Sequence, residues 1–423
     1  MSRESVDVLI VGAGAAGLMA AIHAGRAAGP DTRILVVDGA RKIGVKILVA
    51  GGGRCNVTHH EVRPEDYGGS SRNAIRKVLR AYPVDEVVAF FAAEGVVLKR
   101  EETGKLFPTT DKAQTVLDAL LNAVSKAGVE LRHPVRIESI ERGEDGFIVS
   151  GLEFEATAQR VVLCTGGKAL PKSGSDGAGL EIARRLGHSI TDAVHPALVP
   201  LVLADVDPIR ELGGIAAPVT LMIRGGNGRA IAEYTAPLLC THFGVSGPVV
   251  LDASRYLLAA RAAGDDAIAV VRWLPDVDRD EFEQSMLGAP GGATCQSLLK
   301  GRLPDRLLRM LLHAAGVEPA DRVRGLARDR RRSLLDVLFE HPLVVVGDRG
   351  YTFAEATAGG VPLSEIKLDS MESRLVAGLH LAGEICDVDG RVGGFNFQWA
   401  WASGRVAGGA AASIHEASIH AAS

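Results

Sequence analysis

The chain has 423 residues, 47% of them hydrophobic, enough for a large core and long for a single domain. A net charge of −4 supplies no global field for nucleic acid or an anionic membrane, and 4% aromatics is thin for a base-stacking platform. The five cysteines, at 55, 164, 240, 295 and 386, contain no C-x-x-C, which disfavours a zinc ribbon or redox dithiol and fits a reducing compartment.

The first predicted elements are the most informative. An apolar run, 6–11, leads into Gly12-Ala13-Gly14-Ala15-Ala16-Gly17, a small-residue helix follows, and a second run, 34–37, ends on Asp38. This is the strand, glycine turn, helix, strand and acid of a dinucleotide-binding unit. Gly12 allows the tight turn, Gly14 lets the backbone approach a pyrophosphate, and Gly17 lets helix and strand pack closely. Helix-start N–H groups attract phosphate, and an acid 21 residues past Gly17 can accept from a ribose. Glu4 and Asp7 interrupt the start, so no signal peptide is read, and no run approaches 18 apolar residues. A cytoplasmic protein with no membrane partner is expected.

Next comes a glycine-rich loop, 44–56, in which Gly51-Gly52-Gly53 precede Arg54, Cys55 and Asn56. Three glycines in a row permit close approach of a flat ligand, and the next three residues offer a charge, a thiol and an amide. Apolar periodicity predicts helices over 84–96 and 113–127, then strands over 129–140 and 147–163. The last strand runs into Thr165-Gly166-Gly167, and a helix follows over 176–187.

From about Ile190 the texture changes to short alternating stretches, with a hairpin turn at Gly225-Gly226-Asn227-Gly228. Residues 279–340 read as polar helices, and the Arg-rich run 321–333 as a solvated helix face. Strands are expected again over 341–348 and 351–361. From about Gly360 the chain returns to the first domain with a strand, 378–383, and acids at Asp387 and Asp389. Gly393-Gly394-Phe395-Asn396 then opens a helix over 395–412, whose first N–H groups would favour the negative charge of a reduced flavin. The tail carries Ala-Ser-Ile-His twice, at 412–415 and 417–420, and reads as frayed.

These motifs together resemble a bacterial flavoprotein family, the YhiN-like group that includes BaiN and aminoacetone oxidase. The resemblance runs nearly end to end. It is carried by GAGAAGLMAA, KILVAGGGRCNVT, TGGKALPKSGSDGAGLEIARRLGHSI, APLLCTHFGVSGPVVLDASR and GLHLAGEICDVDGRVGGFNFQWAWASG. It implies an α/β fold, a Rossmann-like FAD-binding domain over 1–190 and 360–423, split by an insert over 191–359. The insert would hold a β-barrel (191–275 and 341–359) and a helical piece (276–340).

By the same resemblance, FAD is held non-covalently. Gly12, Gly14, Ala15, Ala16 and Gly17 would bind its pyrophosphate, and Asp38 its adenosine ribose, where the family more often has Glu. Gly53, Arg54, Cys55 and Asn56 would line the flavin and ribityl region. Val135 would meet the adenine through its backbone, and Thr165 and Gly166 would pass beneath the cofactor. Gly383 and Asp389 would contact the ribityl–phosphate portion; Gly394, Asn396 and Phe397 would sit by the isoalloxazine. His59 departs from the family, where asparagine is frequent.

The expected activity is that of an FAD-dependent oxidoreductase moving hydride through flavin N5 on a small-molecule substrate. The resemblance leaves open amino-ketone oxidation and enone-type reduction. No second glycine-rich βαβ unit is visible, since Gly174–Gly179 does not follow a strand. The reductant is therefore either transient NAD(P)H or an organic substrate. His242, in the insert, is the one candidate catalytic acid or base, with a packed turn as its alternative role. A flavin-containing RNA-binding or RNA-modifying protein is the alternative function, supported only by the Arg-rich run 321–333, which includes Arg330, Arg331 and Arg332. Oligomeric state is not legible.

Overall fold

The computed structural model describes residues 4–413, so the second Ala-Ser-Ile-His copy and half of the first lie outside the described residues. The chain divides into two compact units, residues 1–194 with 355–423, and residues 195–354.

In the first unit, β1 (Glu4–Val11) lies between two parallel neighbours, β2 (Ile34–Val37) and, across its other edge, a later strand. Helix α1 (Ala15–Ala27) joins β1 to β2. Outside β2 lies β3 (Glu130–Arg132); the strand on the other edge of β1 is β4 (Phe154–Leu163), followed outward by β5 (Leu379–Leu381). The parallel order is therefore β3-β2-β1-β4-β5. Chain progression reverses between β1 and β4, and the carboxyl ends beside such a reversal are where open α/β sheets hold ligands. Val8, Leu9, Ile10, Val161, Val162 and Leu163 are buried, as continuous apolar strands covered on both faces must be.

Two of the expected long strands are broken. The stretch 147–163 folds back on itself, with Gly146–Gly151 antiparallel to β4 around a turn that leaves Leu152 86% exposed. The stretch 129–140 divides into β3 and Ile137–Gly143. Helix α3 (Phe395–Ala412) has the bounds the sequence predicts. It packs on α1 at backbone distance: a Cβ on Gly404 would stand 2.4 Å from Ala16 O, and one on Gly408 2.0 Å from Ala20 O.

The second unit is a seven-stranded antiparallel sheet with helices. Its longest pair, Ala216–Arg224 and Ala230–Thr241, turns at Gly225–Gly228 as predicted. The hydrogen-bonded order is a linear path with His341–Leu343 and Val345–Asp348 at its ends, so barrel closure is not part of it. Helices Arg279–Leu287, Asp305–Ala314 and Arg328–Phe339 lie in the expected helical stretch. Their Phe282, Leu308 and Phe339 share one core with Trp273. The strand expected over 351–361 shrinks to Ala356–Ala358, because 349–353 forms a turn in which Phe353 and Ala354 donate to Gly350 O.

Candidate functional site

The glycine turn after β1 is built by removing side chains. Gly12 has φ +103, and a Cβ there would stand 2.5 Å from Cys164 O. A Cβ on Gly17 would stand 1.8 Å from Gly12 O. Gly14 is different: nothing lies within 4 Å of its Cβ position, and as N-cap of α1 it makes no side-chain cap. Ala15, Ala16 and Gly17 form the first turn of α1, whose N–H groups have no intrahelical partner. Asp38 braces the turn, accepting from Ala13 N–H at 2.6 Å and Ala40 N–H at 2.7 Å. Each carboxylate oxygen keeps a lone pair for a hydroxyl. The Val135 N–H donates to Asp38 O at 2.7 Å, so its C=O is the backbone group it has left to offer.

The 44–56 segment is helical in its first half, not loop throughout. Helix α2 (Val45–Gly53) runs regularly until Ala50, where ψ is 143°, and Gly51 and Gly52 are left-handed. Leu48 N–H donates to Gly44 O, so the apolar KILV stretch closes a turn before the glycines break it. Gly52 meets nothing within 4 Å, and Gly53 only Leu48 O at 3.9 Å. Arg54 is committed elsewhere: it pairs with Glu101 at 2.6 Å and lies 4.0 Å over the Phe107 ring, fastening this loop to the 98–108 hairpin. Cys55 is fully buried in a left-handed conformation, φ 60, and burial pushes its thiol up to about 12. It is a packed thiol, not a nucleophile.

Three buried side-chain oxygens here have no hydrogen-bond partner: Asn56 Oδ1, Thr165 Oγ1 and Ser175 Oγ. Thr165 follows the end of β4, and a Cβ on Gly166 would come within 2.7 Å of Ser175 Oγ. Buried polar atoms are ordinarily satisfied, so these three, one just after α2 and two between β4 and the helix Ala178–Arg185, stand out.

Helix α3 closes the site by adding side-chain hydrogen bonds. Gln398 accepts from Thr58 Oγ1 at 2.7 Å and donates to Tyr82 O at 2.8 Å. Trp401 Nε1 donates to Val57 O at 2.8 Å, and Trp399 Nε1 to Gly383 O at 3.0 Å. Ser403 Oγ accepts the Gly383 N–H at 3.0 Å. Asn396 spends its amide on one residue, accepting from Gly390 N–H at 2.8 Å and donating to Gly390 O at 3.1 Å. Phe397 stacks on Trp401, centroids 5.5 Å apart. Gly394 passes so near the chain that a Cβ would stand 2.6 Å from Thr58 C.

Asp389 is buried, as is Asp387 two residues earlier. Burial pushes Asp387 up to about 6; the Ser70 hydroxyl, 3.2 Å away, opposes this and the Asp389 charge adds to it. Glu384 has no counterpart in the sequence reading. It accepts from Lys46 Nζ at 2.6 Å and Thr357 Oγ1 at 2.7 Å, joining the entry of α2 to the turn after β5. The only sequence signal was a charge directly after Gly383.

His242 lies in the second unit, exposed in the turn between Ala230–Thr241 and Gly244–Ser246. Its ring meets Phe243 edge-on at 5.1 Å, and its carbonyl accepts from Arg210 Nε at 3.0 Å. The Arg-rich run is partly used internally: Arg330 bonds Gly316 O and Asp321, and Arg331 bonds Glu283. No group of metal-binding side chains occurs among the described residues, and none of their helices is long and apolar enough to cross a membrane.

A family model described as HI0933-like protein Rossmann domain matches residues 6–410. The 3-dehydro-bile acid delta(4,6)-reductase of Clostridium scindens is 33% identical over 406 residues, covering 95% of this chain and 98% of that protein. The ribosomal RNA dihydrouridine synthase of Escherichia coli is 32% identical over 402 residues, covering 95% and 96%. Among solved structures, 3-ketosteroid delta1-dehydrogenase from Sterolibacterium denitrificans superposes with a TM-score of 0.50 at 15% identity, covering 97% of this chain and 100% of that one. That likeness is one of fold.

Proposed function

Because this chain belongs to the HI0933-like Rossmann family, a flavoprotein group, and is an oxidoreductase, we propose that it holds FAD non-covalently and reduces a carbon–carbon double bond conjugated to a carbonyl. One observation carries the cofactor half of this reading. The N-terminus of α1 is open at Gly14, and three buried oxygens of the same unit, those of Asn56, Thr165 and Ser175, have no partner. Unpaired N–H donors suit a pyrophosphate, and lone hydroxyl and amide oxygens suit the hydroxyls of a sugar and ribityl chain.

On this reading Gly12 and Gly17 shape the turn while Gly14, Ala15 and Ala16 present N–H groups to the phosphates. Asp38 holds the ribose through its remaining lone pairs, and the Val135 carbonyl meets the adenine. Gly53, Asn56, Thr165, Gly166, Gly383 and Asp389 line the middle of the cofactor. Gly394, Asn396 and Phe397 mark the flavin end, where the start of α3 contributes partial positive charge. Arg54 and Cys55 act through packing, since one is ion-paired and the other is a buried neutral thiol. When bound, the flavin supplies a hydride from N5 to an organic acceptor. The chain's part is to bind, orient and exclude water.

The reductive direction is supported by the two relatives' names. Saturating the Δ4,6 bonds of a 3-oxo bile acid and making dihydrouridine both reduce a double bond conjugated to a carbonyl. Neither name describes an amino-ketone oxidation. NAD(P)H is then a transient reductant, in keeping with a single glycine-rich βαβ unit. A second reading, reduction of a base in RNA, is favoured by the Escherichia coli relative's name. The net charge of −4 and the internal use of Arg330 and Arg331 favour a small molecule.

The test is anaerobic. The purified protein is expected to be yellow, to bleach with NADH or NADPH, and to regain colour with a Δ4-3-oxo bile acid. Recolouring by ribosomal RNA alone would move the substrate to RNA. A colourless protein that FAD cannot reconstitute would sink the reading.

A further inference from the structure

Arg349, in the second unit, stands apart from the other stacked arginines of the chain. Its guanidinium lies 4.3 Å over the Phe243 ring and 3.9 Å over the Phe353 ring. Arg26, Arg54, Arg142 and Arg405 each also lie over a ring. Each of those four also donates to a protein acceptor: Glu94, Glu101, Ala377 O, and Ala81 O with Glu86. Arg349, stacked on two rings, has no acceptor for its guanidinium among the described residues. The neighbouring Asp348 carboxylate forms no ion pair with it among the described residues; its Oδ1 accepts the Gly350 N–H at 2.6 Å.

We propose that Arg349 is an oxyanion-recognition residue of the second unit, which reads a carboxylate or phosphate of a small molecule through the unpaired edge of a guanidinium stacked on Phe243 and Phe353. Stacking uses the weakly hydrated faces of the guanidinium and fixes its plane. What remains is the in-plane fork of N–H donors, whose geometry matches two oxygens of a carboxylate or phosphate. The support is built to last. The Arg349 N–H is anchored on Pro200 O at 3.1 Å, and the Phe243 carbonyl accepts the Leu203 N–H at 3.1 Å. Phe353 is 50% exposed, an outlay of apolar surface that the stack with Arg349 explains. Arg349 itself is part-exposed, so solvent and solutes reach it. The assignment rests on the proposed reduction only for the choice of probes: bile acids carry a carboxylate and nucleotides a phosphate.

The experiment uses the full chain with its flavin oxidised, so that binding is read without turnover. Equilibrium dialysis compares a Δ4-3-oxo bile acid with its methyl ester, and uridine 5′-monophosphate with uridine. The wild-type protein is expected to prefer the anionic member of one pair by about tenfold, the scale of a charge-assisted bidentate contact. Which pair shows the preference names the source of the oxyanion. Arg349→Met is expected to abolish the preference, and Arg349→Lys to keep part of it, as a point charge without the fork. Phe353→Leu should weaken it with the charge intact. Melting midpoints and flavin content identify any variant that has failed to fold; Phe353→Leu, at a half-exposed position, is the safeguard. Equal affinity within both pairs, no binding of any probe, or full preference in a folded Arg349→Met protein would overturn the assignment. Anion preference without reduction of either ligand would leave this site standing and remove the proposed reaction.

Discussion

The glycine turn and helix α3 shape the proposed FAD site by opposite means. Between β1 and α1 the site is made by subtraction: Gly12 and Gly17 are small because backbone occupies the space a side chain would need. Along α3 it is made by addition: Gln398, Trp399, Trp401, Ser403 and Asn396 each spend a side chain on a backbone or side-chain group of another segment. The first strategy is local and leaves a sequence pattern. The second depends, for Gln398 and Trp401, on partners hundreds of residues away and leaves almost none. Gly14 belongs to neither, since the room around it serves no protein atom.

Four substitutions probe this division, from the largest effect to the smallest. Gly17→Ala places a methyl 1.8 Å from Gly12 O, with no flexible neighbour to yield. The expected cost is about 4 kcal/mol or more, with loss of bound flavin, read by denaturant unfolding and visible absorbance. Gln398→Leu leaves Thr58 Oγ1 and Tyr82 O buried and unpaired. It should cost about 2–4 kcal/mol in the same unfolding measurement, and a wild-type midpoint would show that α3 is not a clamp.

Asp387→Asn acts through pH. The native carboxyl holds its proton to about 6, above the ordinary value of 3.8. The native state is therefore the better proton binder between those values, so stability falls as pH rises from about 4 to 6 and levels off above. The variant should lose that fall, worth up to about 3 kcal/mol, in flavin-free protein titrated with urea. His23 slopes the other way, because burial, helped by Arg405 and Arg26, holds it down to about 4 from 6.5. Its contribution is full above 6.5 and lost as pH falls, so only the difference between variant and parent isolates Asp387. Gly14→Ala comes last. At φ −79 and with nothing within 4 Å, a methyl should leave the flavin-free melting midpoint unchanged. FAD affinity should drop by about tenfold, seen in reconstitution titrations. An unchanged affinity would show that the space at Gly14 is not used by a cofactor.

How much was legible in the sequence follows the same line. The β1–α1–β2 unit and the bounds of α3 could be read because apolar runs, glycine spacing and helical periodicity are local signals. The helical half of α2 was missed because Gly51-Gly52-Gly53 dominates a segment whose preceding KILV closes a turn on its own. The 351–361 strand was overcalled because Phe353 and Ala354 bond back to Gly350, which alternation cannot foresee. Glu384 and Gln398 escaped for a different reason: their partners, Lys46 and Thr58, are 338 and 340 residues away. Arg54 was placed by its neighbours in the chain, whereas Glu101 and Phe107 decide where its charge goes.

The contact of α3 with α1 also sets an order of events in time. Ala16 and Ala20 receive Gly404 and Gly408, which are made nearly four hundred residues after the glycine turn. Until then α1 lacks the partner that covers it, and Val57, Thr58 and Tyr82 lack the donors and acceptors that hold them. Long-range closure of this kind is slow and leaves apolar surface uncovered while it waits. A chain stalled or shortened before α3 would therefore carry the complete glycine signature without the helix that packs on α1, so capture of the proposed cofactor would report that α3 has been made.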